Sequence, residues 1–111
     1  MFSLTQFLFH GAVNATVTDL ALGTVLQDCR IVLVWGLMTG AGAAGDTVKI
    51  TDGTNDITTA QDLSAKGDKA LFPFIDIDDA RRDVTAGIVL HAVNASGGLV
   101  DVYVLAIPMT P

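Results

Sequence analysis

The sequence predicts an all-β protein, an antiparallel sandwich or barrel of seven or eight short strands. Three observations carry that expectation. Runs of apolar and β-branched residues recur at intervals of about 8–12 residues, divided by Gly, Asn, Asp and Pro. No segment holds helical spacing long enough to supply the crossover helices of a parallel α/β fold. All 12 acidic residues are Asp, and Asp serves turns where Glu would serve helices. With 111 residues the chain has room for one core.

Taken in order, Phe2–Phe9 and Ala15–Asp19 are short apolar or β-branched runs and read as N-terminal strands. Leu20–Gln27 is interrupted by Gly23 and reads as a strand ending or a bend. Cys29–Met38 is rich in Ile and Val and stops at glycines, which makes it a strand too short for a normal helix. Thr39–Gly45 is a flexible small-residue loop. Asp46–Thr51 alternates, and Asp52–Asn55 (DGTN) is a turn, so Asp56–Ala60 returns as the second leg of a hairpin over Val48–Thr59. Gln61–Asp68 is a loop, or a loop with one helical turn. Leu71–Ile77 alternates around Pro73, and a proline there fits an edge strand. Asp78–Ala86 is a turn or one short helix capped by Asp78. Ile88–Val93 and Leu99–Ile107 read as a closing hairpin through Asn94–Gly98 (NASGG).

Three of these strands are apolar on both faces. By strict alternation, Cys29, Ile31, Leu33, Trp35 and Leu37 oppose Arg30, Val32, Val34, Gly36 and Met38. Ile88, Leu90 and Ala92 oppose Val89, His91 and Val93. Val100, Val102, Val104 and Ala106 oppose Leu99, Asp101, Tyr103, Leu105 and Ile107. A sandwich strand should bury one face and wet the other. Half the residues are hydrophobic and only 16% are charged, against about 25% in an average domain. Both facts predict that a second copy or another subunit covers the spare face.

Net charge is −6, and no Lys/Arg cluster exists beyond Arg81–Arg82, which argues against nucleic acid. The longest uncharged apolar stretch, Ile31–Ala44, falls short of the roughly 18–20 residues that span a bilayer. The N-terminus lacks a basic n-region, so the chain reads as soluble and unprocessed. One cysteine, Cys29, excludes an intrachain disulfide and reads as a buried packing residue.

Candidate chemistry is sparse. His91 and Asp101 are near cross-strand neighbours if the last two strands form a hairpin; such a pair serves acid–base chemistry or braces the hairpin. Ser3, Ser64 and Ser96 lie in no G-x-S-x-G context. Asp52, Asn55 and Asp56, and Asp76, Asp78 and Asp79, are oxygen-rich turns suited to Ca²⁺ or simply to turn formation. Asp76 with Asp78 or Asp101 would be the carboxylate pair of a glycosidase, for which the chain offers little room for a cleft. Asn14-Ala15-Thr16 and Asn94-Ala95-Ser96 match the glycosylation sequon by chance. One Trp and one Tyr make a thin platform for sugar, and Trp35 reads instead as a core or interface anchor. No catalytic, cofactor-binding or metal-binding residue is assigned.

The block Asp46–Ser64 (DTVKITDGTNDITTAQDLS), followed by the closing GIVLHAVNASGGLVDVYVLAIP, resembles the small capsid decoration (cement) proteins of tailed bacteriophages over residues 13–108. The likeness lies in the order of elements and carries over no site residue. It implies a jelly-roll sandwich and a non-enzymatic role. As a homotrimer or homodimer on the outer capsid surface, made in the bacterial host cytoplasm, the protein would staple subunits of the major capsid protein. The alternative from another class is a carbohydrate- or receptor-binding module of a tail fibre or spike. On either reading the domain is 13–111, and residues 1–12 are an N-terminal arm or a first strand. Phe2, Leu4, Phe7, Phe9, Trp35 and Tyr103 are the expected oligomer or capsid contacts. If 1–12 is an arm, deleting Met1–Gly11 leaves a folded domain that no longer assembles.

Overall fold

The computed structural model describes residues 6–109 as nine strands: β1 (Phe7–Val13), β2 (Asp19–Thr24), β3 (Cys29–Met38), β4 (Thr47–Thr51), β5 (Gln61–Asp62), β6 (Leu71–Pro73), β7 (Asp83–Val84), β8 (Val89–Ala95) and β9 (Val100–Pro108). They form two antiparallel sheets packed as a sandwich. The larger runs β1-β9-β3-β6, with β7 sharing the edge of β3 that β6 uses; the smaller runs β2-β8-β4-β5. The expected all-β sandwich is what the chain forms. Between the sheets lie Val13, Cys29, Ile31, Val34, Met38, Phe72, Val84, Val100, Val102, Val104 and Ala106 from the larger sheet, against Val48, Ile50, Leu90 and Ala92 from the smaller.

Strict alternation fails in β3. Its pairing with β9 shifts register between Ile31 and Leu33, so Val32 is an extra residue. A bulge of this kind resets the parity of everything after it. Cys29 and Ile31 point inward before it, and Val34, Gly36 and Met38 after it. Leu33, Trp35 and Leu37 are therefore turned away from the core, on the side of Arg30.

The closing hairpin is corrected as well. β8 is paired on both sides, by β2 and β4, and β9 on both sides, by β1 and β3. Neither has an edge to offer the other, so the chain crosses from one sheet to the other at Asn94–Gly98. Asn94 fixes the crossing by donating from Nδ2 to the carbonyls of Gly98 (2.8 Å) and Asn14 (3.1 Å). Ser96 and Gly97 supply the two positive φ angles of the turn, 61° and 84°.

β1 pairs with β9 along its whole length, from Phe7↔Ala106 to Val13↔Val100. Residues 7–11 thus belong to the sheet. Deleting Met1–Gly11 strips a strand from the core instead of trimming an arm, which corrects the expected outcome of that truncation. Leu20–Gln27 contains most of β2, bulged between Ala21 and Gly23. The hairpin after β4 turns at Asp52–Asn55 and bridges Thr51 to Asp56. Its ladder resumes only at β5, where Thr47 faces Asp62 and Val48 faces Gln61.

Gln61 then ties the open side of the sandwich together. Its buried amide accepts from the Ile75 N–H (3.0 Å) and donates to the carbonyls of Ile75 (3.1 Å) and Thr59 (2.8 Å). A side chain here does what a ladder of backbone bonds does elsewhere, joining β5 to the segment after β6. The small-residue loop Thr39–Gly45 is also pinned, because the Gly42 N–H donates to Lys66 O at 2.8 Å.

A Cβ on Gly42 would overlap the Leu63 carbonyl oxygen, whereas one on Gly67 would meet nothing within 4 Å. Gly42→Ala should cost about 1–3 kcal/mol, lowering the midpoint of thermal unfolding by several degrees. Gly67→Ala should stay within about 0.5 kcal/mol of the parent. Thermal melts followed by circular dichroism measure both.

Candidate functional site

The outward face of the larger sheet is the feature with functional content. Register sorts it into four cross-strand rows. Asp83, Arg30 and Ile107 form the first. Leu33, Leu105 and Leu8 form the second. Pro73, Trp35, Tyr103 and His10 form the third, and Leu71, Leu37, Asp101 and Ala12 the fourth. Leu8, Leu33 and Leu71 are 58%, 45% and 69% exposed, so the leucines that flank the aromatic row stand in water.

The aromatic row is a ladder. The Trp35 and Tyr103 rings stack at 5.2 Å with 7° between their planes, and Tyr103 stacks on His10 at 4.5 Å and 20°. Such cross-strand pairs add stability to a sheet beyond the area they bury. Because each ring covers its neighbour, the ladder presents edges to solvent. Beside it Leu33, Trp35, Leu71, Phe72 and Pro73 line a shallow, open hollow of about 380 Å³.

Charge is confined to the ends of this face. At one end Arg30 grips Asp83 with two hydrogen bonds, Nε to Oδ1 at 2.7 Å and Nη2 to Oδ2 at 3.1 Å. That contact holds the Asp83 carboxyl below the usual carboxylate range and raises the Arg30 guanidinium. At the other end Asp101 has no ion-pair partner among the described residues.

The smaller sheet shows the opposite character. Its outward rows mix Asp19, Val93 and Lys49, then Ala21, His91 and Thr51. His91 Nδ1 lies 2.8 Å from Asp19 Oδ1, and Lys49 Nζ lies 3.0 Å from Asp56 Oδ1. The two-sided apolar reading of β8 therefore fails, since its outward valines sit among charged and hydroxyl groups. His91 and Asp101 occupy different sheets, which removes the expected cross-strand neighbours and with them both the bracing and the acid–base reading; the partner of His91 is Asp19.

Of the expected contact residues, Trp35 and Tyr103 lie side by side on the outward face of the larger sheet. Phe7 and Phe9 point the other way and pack against the core. This is a correction fixed by the pairing of Phe9 with Val104, an inward residue. Phe2 and Leu4 fall outside the described residues. Sequence reasoning put Leu8 in the apolar N-terminal run but did not single out Leu33, Leu71 and Leu105 as contacts. Alternation in β1 marks Leu8 as the partner face of Phe7 and Phe9, but Leu33 is unreadable without the bulge.

Asp52 and Asp78 use their carboxylates within their own turns. Asp52 Oδ1 accepts from the N–H groups of Asn55 (2.6 Å) and Thr54 (2.9 Å), and Asp78 Oδ1 accepts from the N–H of Ala80 (2.9 Å). Among the described residues no three His, Cys, Asp or Glu side chains converge as metal ligands. Cys29 is buried; desolvation, with Asp28 and Asp83 nearby, pushes its thiol up and disfavours the thiolate. No protein-family model, curated protein or solved structure matches the chain.

The Asn55 N–H, and after it that of Thr54, holds the Asp52 carboxyl below its ordinary value. A depressed folded-state value contributes stability above the ordinary carboxylate range, and that contribution is lost as pH falls through the folded value. Asp52→Ala should destabilise by about 0.5–1.5 kcal/mol at neutral pH. The difference should begin to shrink as pH falls below the ordinary value of about 3.9 and be lost only below the lower folded-state value. Urea unfolding of both proteins across that range measures the loss.

Proposed function

We propose that this chain is a non-enzymatic structural protein of a virion, a capsid decoration or cement protein. In this reading it forms a homotrimer or homodimer and staples neighbouring major-capsid subunits on the outer shell. One observation carries the reading: the outward face of the larger sheet is leucine-rich and aromatic, while that of the smaller sheet is charged and hydroxylated. A contiguous apolar face of this kind marks an association surface. Burying it gains roughly 25 cal/mol per Å² of apolar area, and a modest contact repeated around a shell gains further by avidity.

The connectivity supports the jelly-roll part of the reading. Strand orders β1-β9-β3-β6 and β2-β8-β4-β5, with six of the eight connections crossing between sheets, favour a double Greek key of the kind found in viral capsid and lectin domains. Fold analogy alone does not assign a role. The alternative, a carbohydrate-binding module, is weakened because Tyr103 has both ring faces covered, by Trp35 and His10, and Trp35 gives one of its own to the stack.

Pelleting tests the proposal. Purified protein mixed with empty capsids of the phage that encodes it should sediment with them in a fixed ratio and raise the temperature at which they dissociate. Protein left wholly in the supernatant, with shell stability unchanged, overturns it.

A further inference from the structure

We infer that the outward face of the larger sheet pairs with the same face of a second copy, about a two-fold axis lying across the strands. The inference deepens the proposed function and rests on it for its biological use, but its grounds are the rows themselves. Such an axis, passing between the second and third rows, exchanges second with third and first with fourth. The leucine row of each copy then meets the aromatic row of the other, so Leu33 faces Trp35, Leu105 faces Tyr103 and Leu8 faces His10. Protruding branched side chains against a ladder of ring edges is the alternation by which sheet faces interdigitate.

Charge selects this axis over one parallel to the strands. Exchange of the end rows brings Arg30 of one copy over Leu37 of the other, one strand, or about 4.8 Å, from Asp101. Asp101, which has no ion-pair partner among the described residues, thereby gains a cation, and the contact occurs twice in the dimer. An axis along the strands would instead bring each unpaired Asp101 near its symmetry mate. Elsewhere a net charge of −6 per copy repels, which leaves this nearly uncharged face as the place of approach.

The area suffices. Three strands, β1, β9 and β3, of 7, 9 and 10 residues, with the short β6 and β7 along the free edge of β3, make a face of roughly 400 Å² in plan at about 4.8 Å per strand. Its relief raises the buried surface towards the roughly 800 Å² per partner of a standard interface.

Sedimentation velocity of the full chain, with Trp35 emission recorded over the same concentrations, tests the pairing. The parent should run as two copies at micromolar concentration. Emission should shift to the blue as the chain's one tryptophan leaves water. Leu33→Asp, at a half-exposed site, should raise the dissociation constant at least tenfold while circular dichroism stays unchanged. Leu26→Asp, on the exposed β2–β3 loop, should leave it unchanged. Asp101→Asn decides the axis. It should weaken pairing if Arg30 of the other copy faces Asp101, and strengthen pairing if the carboxylate is merely buried.

A parent that stays single, pairing that survives Leu33→Asp or leaves Trp35 emission unmoved, or tighter pairing by Asp101→Asn would overturn the inference. Capsid pelleting reads the proposed role separately. Shell binding by a single-copy protein removes only the pairing, and pairing without shell binding removes only the role.

Discussion

The outward face of this protein depends on one inserted residue. Val32 lengthens β3 by a single step against β9, and that step turns Leu33, Trp35 and Leu37 away from the core. Had the strand kept its alternation, Trp35 would point between the sheets with Cys29 and Ile31, and Val34 would point outward. The aromatic ladder and the row of leucines beside it would not exist. A bulge in a central strand costs regular pairing, and here it moves three large side chains from one environment to another.

The two sheets divide labour. Inward residues are alike on both, mostly Val, Ile and Leu, as a shared core requires. Outward residues differ in kind. The smaller sheet carries the Asp19–His91 and Lys49–Asp56 pairs, ordinary wet-surface contacts worth little to stability. The larger keeps its charges at the two ends and leaves the middle apolar. Gln61 contributes by closing the side where β5 and the chain after β6 approach without a ladder. Its amide satisfies the Ile75 backbone, which would otherwise offer an unpaired edge.

Much of this was readable from the residues. Glycine and aspartate punctuation gave the fold class. Turn chemistry located Asp52–Asn55, and Pro73 marked an edge strand. What escaped was long-range. Nothing local in Asn94–Gly98 distinguishes a hairpin from a sheet crossing; the answer lies in β2 and β4 having already claimed both sides of β8. The bulge at Val32 is silent too, because Ile, Val and Leu follow one another there and suit either face. Phe7 and Phe9 were misjudged for a similar reason, since aromatic residues near a chain end suit a docking arm and a first core strand equally well. The surplus of apolar surface was visible in composition, but its confinement to one sheet required the register.

Cys29 turns its confinement into a report on motion. The thiol is buried where β3 pairs with β7, and its surroundings disfavour the thiolate. Alkylation should therefore wait on a local opening around Cys29, making this single sulfur a reporter of breathing at that end of β3. For the same reason, air oxidation cannot weld two intact molecules together through it, and a disulfide-linked species in an ageing preparation would count chains that had come apart.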